Sequence, residues 1–133
     1  MRKIAIALTT AAALLGTVAA DARPRQTPQQ RLDKVLAGRV AGEPVNCIPQ
    51  WQAREMQVFD KTAIVFGAGD TVWVNVPHNR DHLDDDDIMV TRTSTGELCS
   101  IDIVQTLDRA GRFPNGFLNL GKFVPFRKAA KDN

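Results

Sequence analysis

The chain has 133 residues, of which 44% are hydrophobic and 24% are charged, with 9 glycines, 7 prolines and no tyrosine. Domains usually contain about 100–150 residues, so we expect one globular domain, and this length excludes a multidomain protein. The balance of apolar and charged residues also excludes a wholly disordered or collagen-like chain.

The first twenty residues have the layout of a signal peptide. Two basic residues precede an apolar stretch that ends near Leu15, and small residues follow it. This stretch is shorter than the roughly 20 residues that cross a bilayer, which disfavours the alternative of an uncleaved membrane anchor. We therefore predict a signal peptide over 1–20, cleaved after Ala20 or Ala22. The mature protein is expected to be periplasmic or secreted, with no stable membrane span.

Cleavage after Ala20 removes two of the 17 basic residues and none of the 15 acidic residues, which leaves a mature chain without formal net charge. A general attraction to nucleic acid is therefore not expected. We predict that the partner is an unknown envelope protein or a small ligand. Local charge clusters remain, acidic at Asp81, Asp84, Asp85, Asp86 and Asp87, and basic at Arg109, Arg112, Lys122, Arg127, Lys128 and Lys131.

The two cysteines of the chain are Cys47 and Cys99, 52 residues apart. An even number of cysteines in an exported chain favours a structural disulfide between them. In the chain-entropy model, a bridge that closes a loop of this length contributes roughly 4 kcal/mol to the free energy of unfolding. A catalytic thiol is the alternative, but neither a Cys-x-x-Cys spacing nor an adjacent base supports it.

Residues 21–44 are predicted to form a flexible lead and one short helix. Thr27 is a suitable N-cap, and Pro28 is favourable at the first helical position. The helix is predicted over about 28–37, because Gly38 ends the pattern. The residues that recur at helical spacing are Arg31, Leu32, Val35 and Leu36.

The segment 45–127 has strand-like patterns and is predicted to be a β domain, followed by a basic tail over 128–133. Gly67 to Asp70 form a tight loop between two apolar runs, because glycine readily adopts positive φ. Pairing around this loop sets Val65 opposite Val72 and Ala63 opposite Val74 on one face. Ile64 then faces Trp73, and Phe66 faces Thr71, on the other face. Because both faces are apolar, we expect this strand to be covered on both sides.

A second hairpin is predicted around Thr95-Gly96. This register pairs Ile88 with Ile103 and Arg92 with Cys99, and it directs Cys99, Ile101 and Ile103 toward the core. Asp102 then lies on the opposite face of its strand. We expect its carboxylate to form an ion pair with an arginine of another strand.

A last strand is predicted from Leu120 to Phe126. The predicted fold is mainly β: a short N-terminal helix and a five- or six-stranded antiparallel meander. The meander forms a small barrel or half-barrel that one disulfide, Cys47–Cys99, closes.

The segment from His78 to Asp87 contains both histidines and five carboxylates between two strands. Imidazole and carboxylate groups together bind zinc or other divalent metals, and carboxylates alone bind calcium. The alternative is a solvated loop that keeps a neighbouring strand edge soluble. No other cofactor is expected. The predicted metal ligands are His78, Asp81, His82, Asp84 and Asp85. A separate interpretation gives Asp86 and Asp87 a structural role, accepting backbone N–H groups at the start of the next strand.

No catalytic motif is recognisable. The chain contains no Gly-x-Ser-x-Gly, no His-Glu-x-x-His and no phosphate-binding loop, so no catalytic residue is assigned. Trp51, Trp73 and Phe66 are sufficient for a ligand-stacking surface, although aromatic residues of small β domains are more often core. We predict a non-enzymatic binding or envelope-associated protein. The alternatives are a metal-binding module that uses the His78–Asp87 loop and an enzyme whose site has no known motif.

Six short motifs, in this order and spacing, resemble a family of small exported proteins of Gram-negative bacteria that is classed as a domain of unknown function. The resemblance covers about residues 45–127. It implies export and a shared β-rich domain, it supports the pairing of Cys47 with Cys99, and it transfers no catalytic residue. The motifs are Cys47-Ile48-Pro49, Thr62-Ala63-Ile64-Val65-Phe66, Val72-Trp73-Val74-Asn75, Asp86-Asp87-Ile88-Met89-Val90-Thr91-Arg92, Leu98-Cys99-Ser100-Ile101-Asp102 and Leu120-Gly121-Lys122-Phe123-Val124-Pro125-Phe126.

Overall fold

The computed structural model describes residues 23–131, so the predicted signal peptide over 1–20 lies outside the described residues. One α-helix, α1, spans Pro28–Leu36. None of the helices in this range is long and apolar enough to cross a membrane. The described strands are β1 Arg39–Ala41, β2 Cys47–Pro49, β3 Met56–Phe59, β4 Ala63–Phe66, β5 Thr71–Asn75, β6 Ile88–Val90, β7 Glu97–Cys99, β8 Ile103–Leu107, β9 Pro114–Asn119 and β10 Phe123–Lys128.

The helix forms as predicted and ends one residue earlier, at Leu36. The backbone N–H of Gln30 donates to Oγ1 of Thr27 over 3.2 Å, and the N–H of Thr27 donates to Oε1 of Gln30 over 2.9 Å. This reciprocal capping box satisfies two backbone donors that the first helical turn leaves free. Leu32 is the buried residue of the helix and packs on the five-stranded sheet described next.

The largest sheet contains five antiparallel strands in the order β1-β10-β5-β4-β3. All four residues of β4 are buried, which confirms the prediction that this strand is covered on both faces. Ile64 and Phe66 face the larger core cluster, which also contains residues of the other two sheets. Ala63 and Val65 face a second cluster, which includes Leu32 of α1.

The hairpin between β4 and β5 is confirmed, but its predicted register is wrong by two residues. Val65 pairs with Val74 rather than with Val72, and Phe66 pairs with Trp73. The loop is longer than predicted, since Thr71 pairs with Arg127 of β10 and lies beyond the residues of β5 that pair with β4. A shift of two residues keeps each side chain on its predicted face, because side chains alternate with a period of two.

The second predicted hairpin is wrong. β6 pairs with β8, setting Ile88 opposite Leu107, while Cys99 lies in β7 and pairs with Cys47 of β2. Ile101 and Ile103, which were predicted to face the core, are 88% and 61% exposed. The carboxylate of Asp102 accepts the backbone N–H of Cys99 over 2.7 Å in a turn, so the predicted ion pair of Asp102 is absent from the described residues.

The predicted fold class is confirmed: the described chain is mainly antiparallel β with one short α-helix and a Cys47–Cys99 disulfide of 2.07 Å. Residues 23–131 contain ten strands, more than the five or six predicted. The sequence did not reveal all of them, because several have only three residues and are too short to show a sequence period. They form sheets of five, two and three strands. A closed barrel does not form from the described strands, which leaves the half-barrel alternative.

A buried amide joins β5 to the connection between β9 and β10. Asn75 is fully buried, and its Nδ2 donates to the carbonyl oxygen of Gly121 over 2.7 Å. Its Oδ1 accepts the N–H of Gly121 over 2.9 Å. A Cβ atom at position 121 would collide with the carbonyl oxygen of Val76, so this close approach requires glycine.

Candidate functional site

The segment from His78 to Asp87 is attached to the sheet edge rather than free in solvent. The side chain of Asn79 donates to the carbonyl oxygen of Phe117 over 2.9 Å and accepts the N–H of Asn119 over 2.8 Å. The N–H of His78 also donates to the carbonyl oxygen of Asn119 over 2.9 Å. These bonds occupy polar backbone groups of β9, and Leu83 anchors the segment in the core.

The structure brings together two of the five predicted metal ligands, Asp84 and Asp85, and groups them with Asp60. Carboxylate oxygens of these three residues lie within 4.8 Å of one another, and no imidazole nitrogen of the described chain joins them. His78, Asp81 and His82 are exposed and lie outside this group. The sequence does not indicate Asp60 as a member of this group, because it lies in the turn before β4, far along the chain from the acidic segment. A divalent-metal site therefore stays a prediction.

An arginine already neutralises part of this acidic group. A guanidinium nitrogen of Arg31, on α1, donates to Asp85 over 3.0 Å, and the same guanidinium lies 5.9 Å from the centre of the Phe59 ring. Both partners of the ion pair are about two-fifths exposed, so the pair contributes little to stability. Its local consequence is to place positive charge where a bound cation would need negative charge.

The predicted role of Asp86 and Asp87 as acceptors of backbone N–H groups is wrong within the described residues, although both residues make other hydrogen bonds at the start of β6. The backbone N–H of Asp86 donates to the side chain of Asp84 over 2.9 Å. The carboxylate of Asp87 accepts the side-chain amide of Asn115 over 2.9 Å. Within residues 23–131, neither histidine side chain takes part in a hydrogen bond or an ion pair. No acid–base pair is therefore assembled around them.

The three-stranded sheet β6-β8-β9 has one face in the core and one apolar face toward solvent. Val104 and Leu118 are buried on the inner face. Side chains of the opposite parity share the other face, because neighbours alternate along a strand and directly paired residues lie on the same side. We call this the outer face, and none of its residues is charged: Ile88, Val90, Ile103, Gln105, Leu107, Phe117 and Asn119.

The outer face exposes large apolar side chains. Ile103 is 61% exposed and Phe117 is 55% exposed. They lie diagonally across β8 and β9, because Ile103 pairs with Asn119 and Gln105 pairs with Phe117. Ile101 precedes β8 and Phe113 precedes β9, and each is also more than half exposed. Isolated exposed apolar residues are common, but a contiguous group marks a contact surface.

A separate open cavity of about 270 Å³ lies between the segment after β2 and the loop that joins β4 to β5. Trp51 is 66% exposed at its wall, whereas Phe66 is fully buried and Trp73 is half-buried against the core. The core interpretation of the aromatic residues is therefore confirmed for Phe66 and Trp73 but wrong for Trp51. The cavity is lined by Trp51, Gln52, Glu55, Gly67, Ala68 and Thr71.

The polar wall of this cavity, formed by Gln52 and Glu55, was not predicted from the sequence. Gln52 lies in a 3-10 turn over Gln52–Arg54, and Glu55 immediately follows that turn. A tryptophan in a polar turn, one position after Pro49-Gln50, is the signal that could have indicated a surface site.

Comparisons with protein-family models, curated proteins and solved structures found no match to this chain. The resemblance to the exported bacterial family therefore stays a prediction.

Proposed function

We propose that the protein is an exported, non-enzymatic domain that binds another protein through the outer face. The observation that carries this proposal is the exposure of Ile103 and Phe117 on an uncharged sheet face, with the exposed Ile101 and Phe113 near opposite ends of β8. Apolar area of this kind associates because its removal from water is favourable. A sheet face without acid, base or nucleophile favours binding over catalysis.

The exposed area is adequate for the centre of an interface. Phe113 and Phe117, each more than half exposed, offer on the order of 200 Å² together. Ile101 and Ile103 add on the order of 150 Å². These residues are spread along the length of β8, and their summed area is comparable with the roughly 300–600 Å² of the largest apolar patch on a typical monomer, which is often functional. Polar neighbours would complete the roughly 800 Å² that each partner contributes to a standard interface.

The charges around the outer face favour a protein partner over a lipid surface. Anionic membranes attract clusters of basic residues. Here Arg109 lies 3.4 Å from the carboxylate of Asp86, and Asp108 is adjacent in sequence, so the rim carries both signs. A mixed rim around an apolar centre is the usual anatomy of a protein–protein interface.

Export is supported by two independent features. The N-terminal sequence has the layout of a signal peptide, and the disulfide between Cys47 and Cys99 is of the kind that persists in oxidising compartments. The predicted resemblance to exported bacterial proteins agrees with both.

A photoreactive amino acid placed at position 117 in the producing cells tests the proposal. We expect a discrete crosslinked product that is lost when Ile103→Asp is added. The matched control carries the photoreactive residue at position 40, because Val40 is 62% exposed on β1 of a different sheet. Sedimentation velocity of the purified protein distinguishes a second copy of the chain from a different partner. Equal crosslinking at both positions would refute the outer face as the binding surface.

A further inference from the structure

We propose that Trp51, Gln52 and Glu55 form a binding site for a guanidinium group, such as the arginine side chain. The site lies beside the five-stranded sheet and is independent of the outer face, which belongs to the three-stranded sheet. It therefore adds a second, chemically specific recognition element to the proposed function.

Backbone hydrogen bonds hold the walls of the cavity together. The N–H of Gly67 donates to the carbonyl oxygen of Glu55 over 2.8 Å, which joins the β4–β5 loop to the segment after the 3-10 turn. The N–H of Ala53 donates to the carbonyl oxygen of Gln50 over 3.1 Å, which closes that turn. Gly67 has a φ of 83°, a conformation that favours glycine, so the chain is adapted to this close approach. The backbone of the site is thus formed before a ligand arrives.

Two residues of the cavity wall carry hydrogen-bond acceptors that have no donors among residues 23–131. Oε1 of Gln52 is buried and has no hydrogen-bond partner within the described chain. The carboxylate of Glu55 takes part in no ion pair among residues 23–131, although Glu55 is exposed. A buried acceptor without a partner is unfavourable, so a ligand that donates to it gains affinity. The missing partner is therefore a donor, and the carboxylate favours a positive one.

The indole of Trp51 selects among positively charged ligands. Tryptophan has the most favourable aromatic face for a cation, and guanidinium groups stack on such faces more often than ammonium groups do. A guanidinium is planar and carries five N–H donors in a fork that matches a carboxylate. It can therefore stack on Trp51 while its edge donates to Glu55, and it reaches Oε1 of Gln52 when that side chain turns toward the cavity. A metal ion would use the oxygen atoms but would gain nothing from the exposed indole.

The size of the cavity and its neighbours agree with this ligand. A volume of about 270 Å³ is below the roughly 300–1,000 Å³ of pockets for drug-sized molecules, and it suits one side-chain head group. The same loop already binds one guanidinium of this chain, that of Arg39, which lines a neighbouring cavity together with Glu55. The side chain of Arg39 donates to the carbonyl oxygens of Gly69 and Asp70 over 2.8 and 3.0 Å. Arg54, the nearest basic residue in sequence, is exposed and does not line the cavity.

Nuclear magnetic resonance of the ¹⁵N-labelled mature protein, with its disulfide intact, tests the site. The chain has 2 tryptophans, so Trp51 and Trp73 give two indole N–H signals. We expect Nα-acetyl-arginine amide to shift the Trp51 signal saturably with a dissociation constant in the millimolar range, on the order of 1–10 mM. The Trp73 signal is expected to stay in place and reports an intact fold. Nα-acetyl-citrulline amide, which has the same shape without the charge, is the matched neutral probe.

Substitutions separate the contributions of charge and stacking. Glu55→Gln is expected to weaken arginine-amide binding about tenfold, because it removes a charge-assisted hydrogen bond. Trp51→Ala is expected to weaken binding about threefold. Because this variant has lost the Trp51 indole signal, its binding is measured from the backbone amide signal of Ala68. Glu43→Gln removes an exposed carboxylate that does not line this cavity and is expected to leave binding unchanged.

Two sources can supply the guanidinium, an arginine of a partner protein or a small free guanidinium compound. Tighter binding of an arginine-containing peptide than of agmatine would indicate the first source, and equal binding would indicate the second; both support the site. Citrulline amide binding as tightly as arginine amide would overturn the proposal. The absence of any saturable shift of the Trp51 signal, or equal losses for Glu55→Gln and Glu43→Gln, would also overturn it.

Discussion

Replacing Asn75 by alanine is expected to remove a large share of the stability of the domain. The side chain of Asn75 is fully buried and makes two hydrogen bonds to the backbone of Gly121, of 2.7 and 2.9 Å. Each buried polar group left without a partner costs about 1–3 kcal/mol. The two orphaned groups of Gly121 therefore predict a loss of about 2–6 kcal/mol in the free energy of unfolding. Domains of this kind have about 5–15 kcal/mol in total.

Asn79→Ala is the matched control for Asn75→Ala. Asn79 also makes two hydrogen bonds to backbone, with Phe117 and Asn119 over 2.9 and 2.8 Å, but its residue is only half-buried. Water can replace an amide at such a position, so we expect a loss of about 1 kcal/mol or less. The difference between the two variants isolates the effect of burial, because the number and kind of hydrogen bonds are the same.

Urea unfolding of the oxidised protein, followed by circular dichroism and tryptophan fluorescence, measures both variants. The dependence of the free energy on urea is expected to be unchanged, because both variants expose the same surface on unfolding. The two optical probes should also give the same transition. An Asn75→Ala variant no less stable than Asn79→Ala would refute the argument that burial makes this amide important.

Three further outcomes are expected. Gly121→Ala should destabilise the domain by at least about 2 kcal/mol in the same urea assay, because the new Cβ meets the carbonyl oxygen of Val76; a smaller loss would mean that the backbone moves freely there. The double variant Cys47→Ser/Cys99→Ser should lose roughly 4 kcal/mol, and the wild-type protein should show no titratable thiol under non-reducing denaturation. Zinc or calcium should raise the melting temperature by about 1 °C or less, whereas a larger rise that His82→Ala abolishes would support the predicted metal site.

Local sequence signals predicted the elements whose partners are close in the chain. Thr27 and Pro28 sufficed to place the helix, because capping depends on residues within one turn. The loop at Gly67 and Gly69 sufficed to place one hairpin and the faces of its strands. The sequence did not determine the register of this hairpin, because a shift of two residues keeps the same side chains on each face.

The second hairpin failed because the competing partner is distant in sequence. An alternating pattern around Thr95-Gly96 is compatible with pairing of β6 to the segment after the turn. In the structure Cys99 instead pairs with Cys47, which lies at the other end of the loop that the disulfide closes. Periodicity reports which residues share a face, but it carries no information about which strand lies alongside. The cysteines predicted a bond and not the two-stranded sheet around it.

In the candidate sites too, residues close in sequence were predicted and residues brought in by tertiary contacts were not. Residue types indicated a cluster at Asp84 and Asp85, but Asp60 and Arg31 join it only through tertiary contacts. The exposure of Trp51 also depends on the fold, since the sequence alone favours burial for an aromatic residue. Long-range packing therefore decides the composition of each site.

Two of the motifs that support the family resemblance meet in space. Asn75 ends one motif and Gly121 lies in the last, and their hydrogen bonds join them across the core. Such a pair is expected to persist together or to be lost together in relatives, because each residue alone leaves the other without a partner.

The five-stranded sheet cannot be completed until the last of its strands has been synthesised. β10 lies between β1 and β5. Arg39 can therefore pair with Lys128, and Asn75 with Phe123, only after β10 has been synthesised. Pairing across such sequence distances forms slowly, because most of the loop-closure entropy must be lost first. Until β10 has been made, β1 has no neighbour in its sheet, although β3, β4 and β5 can already pair with one another. Under the export proposed above, this strand order delays completion of the sheet, which favours passage of the chain through a membrane channel before it folds.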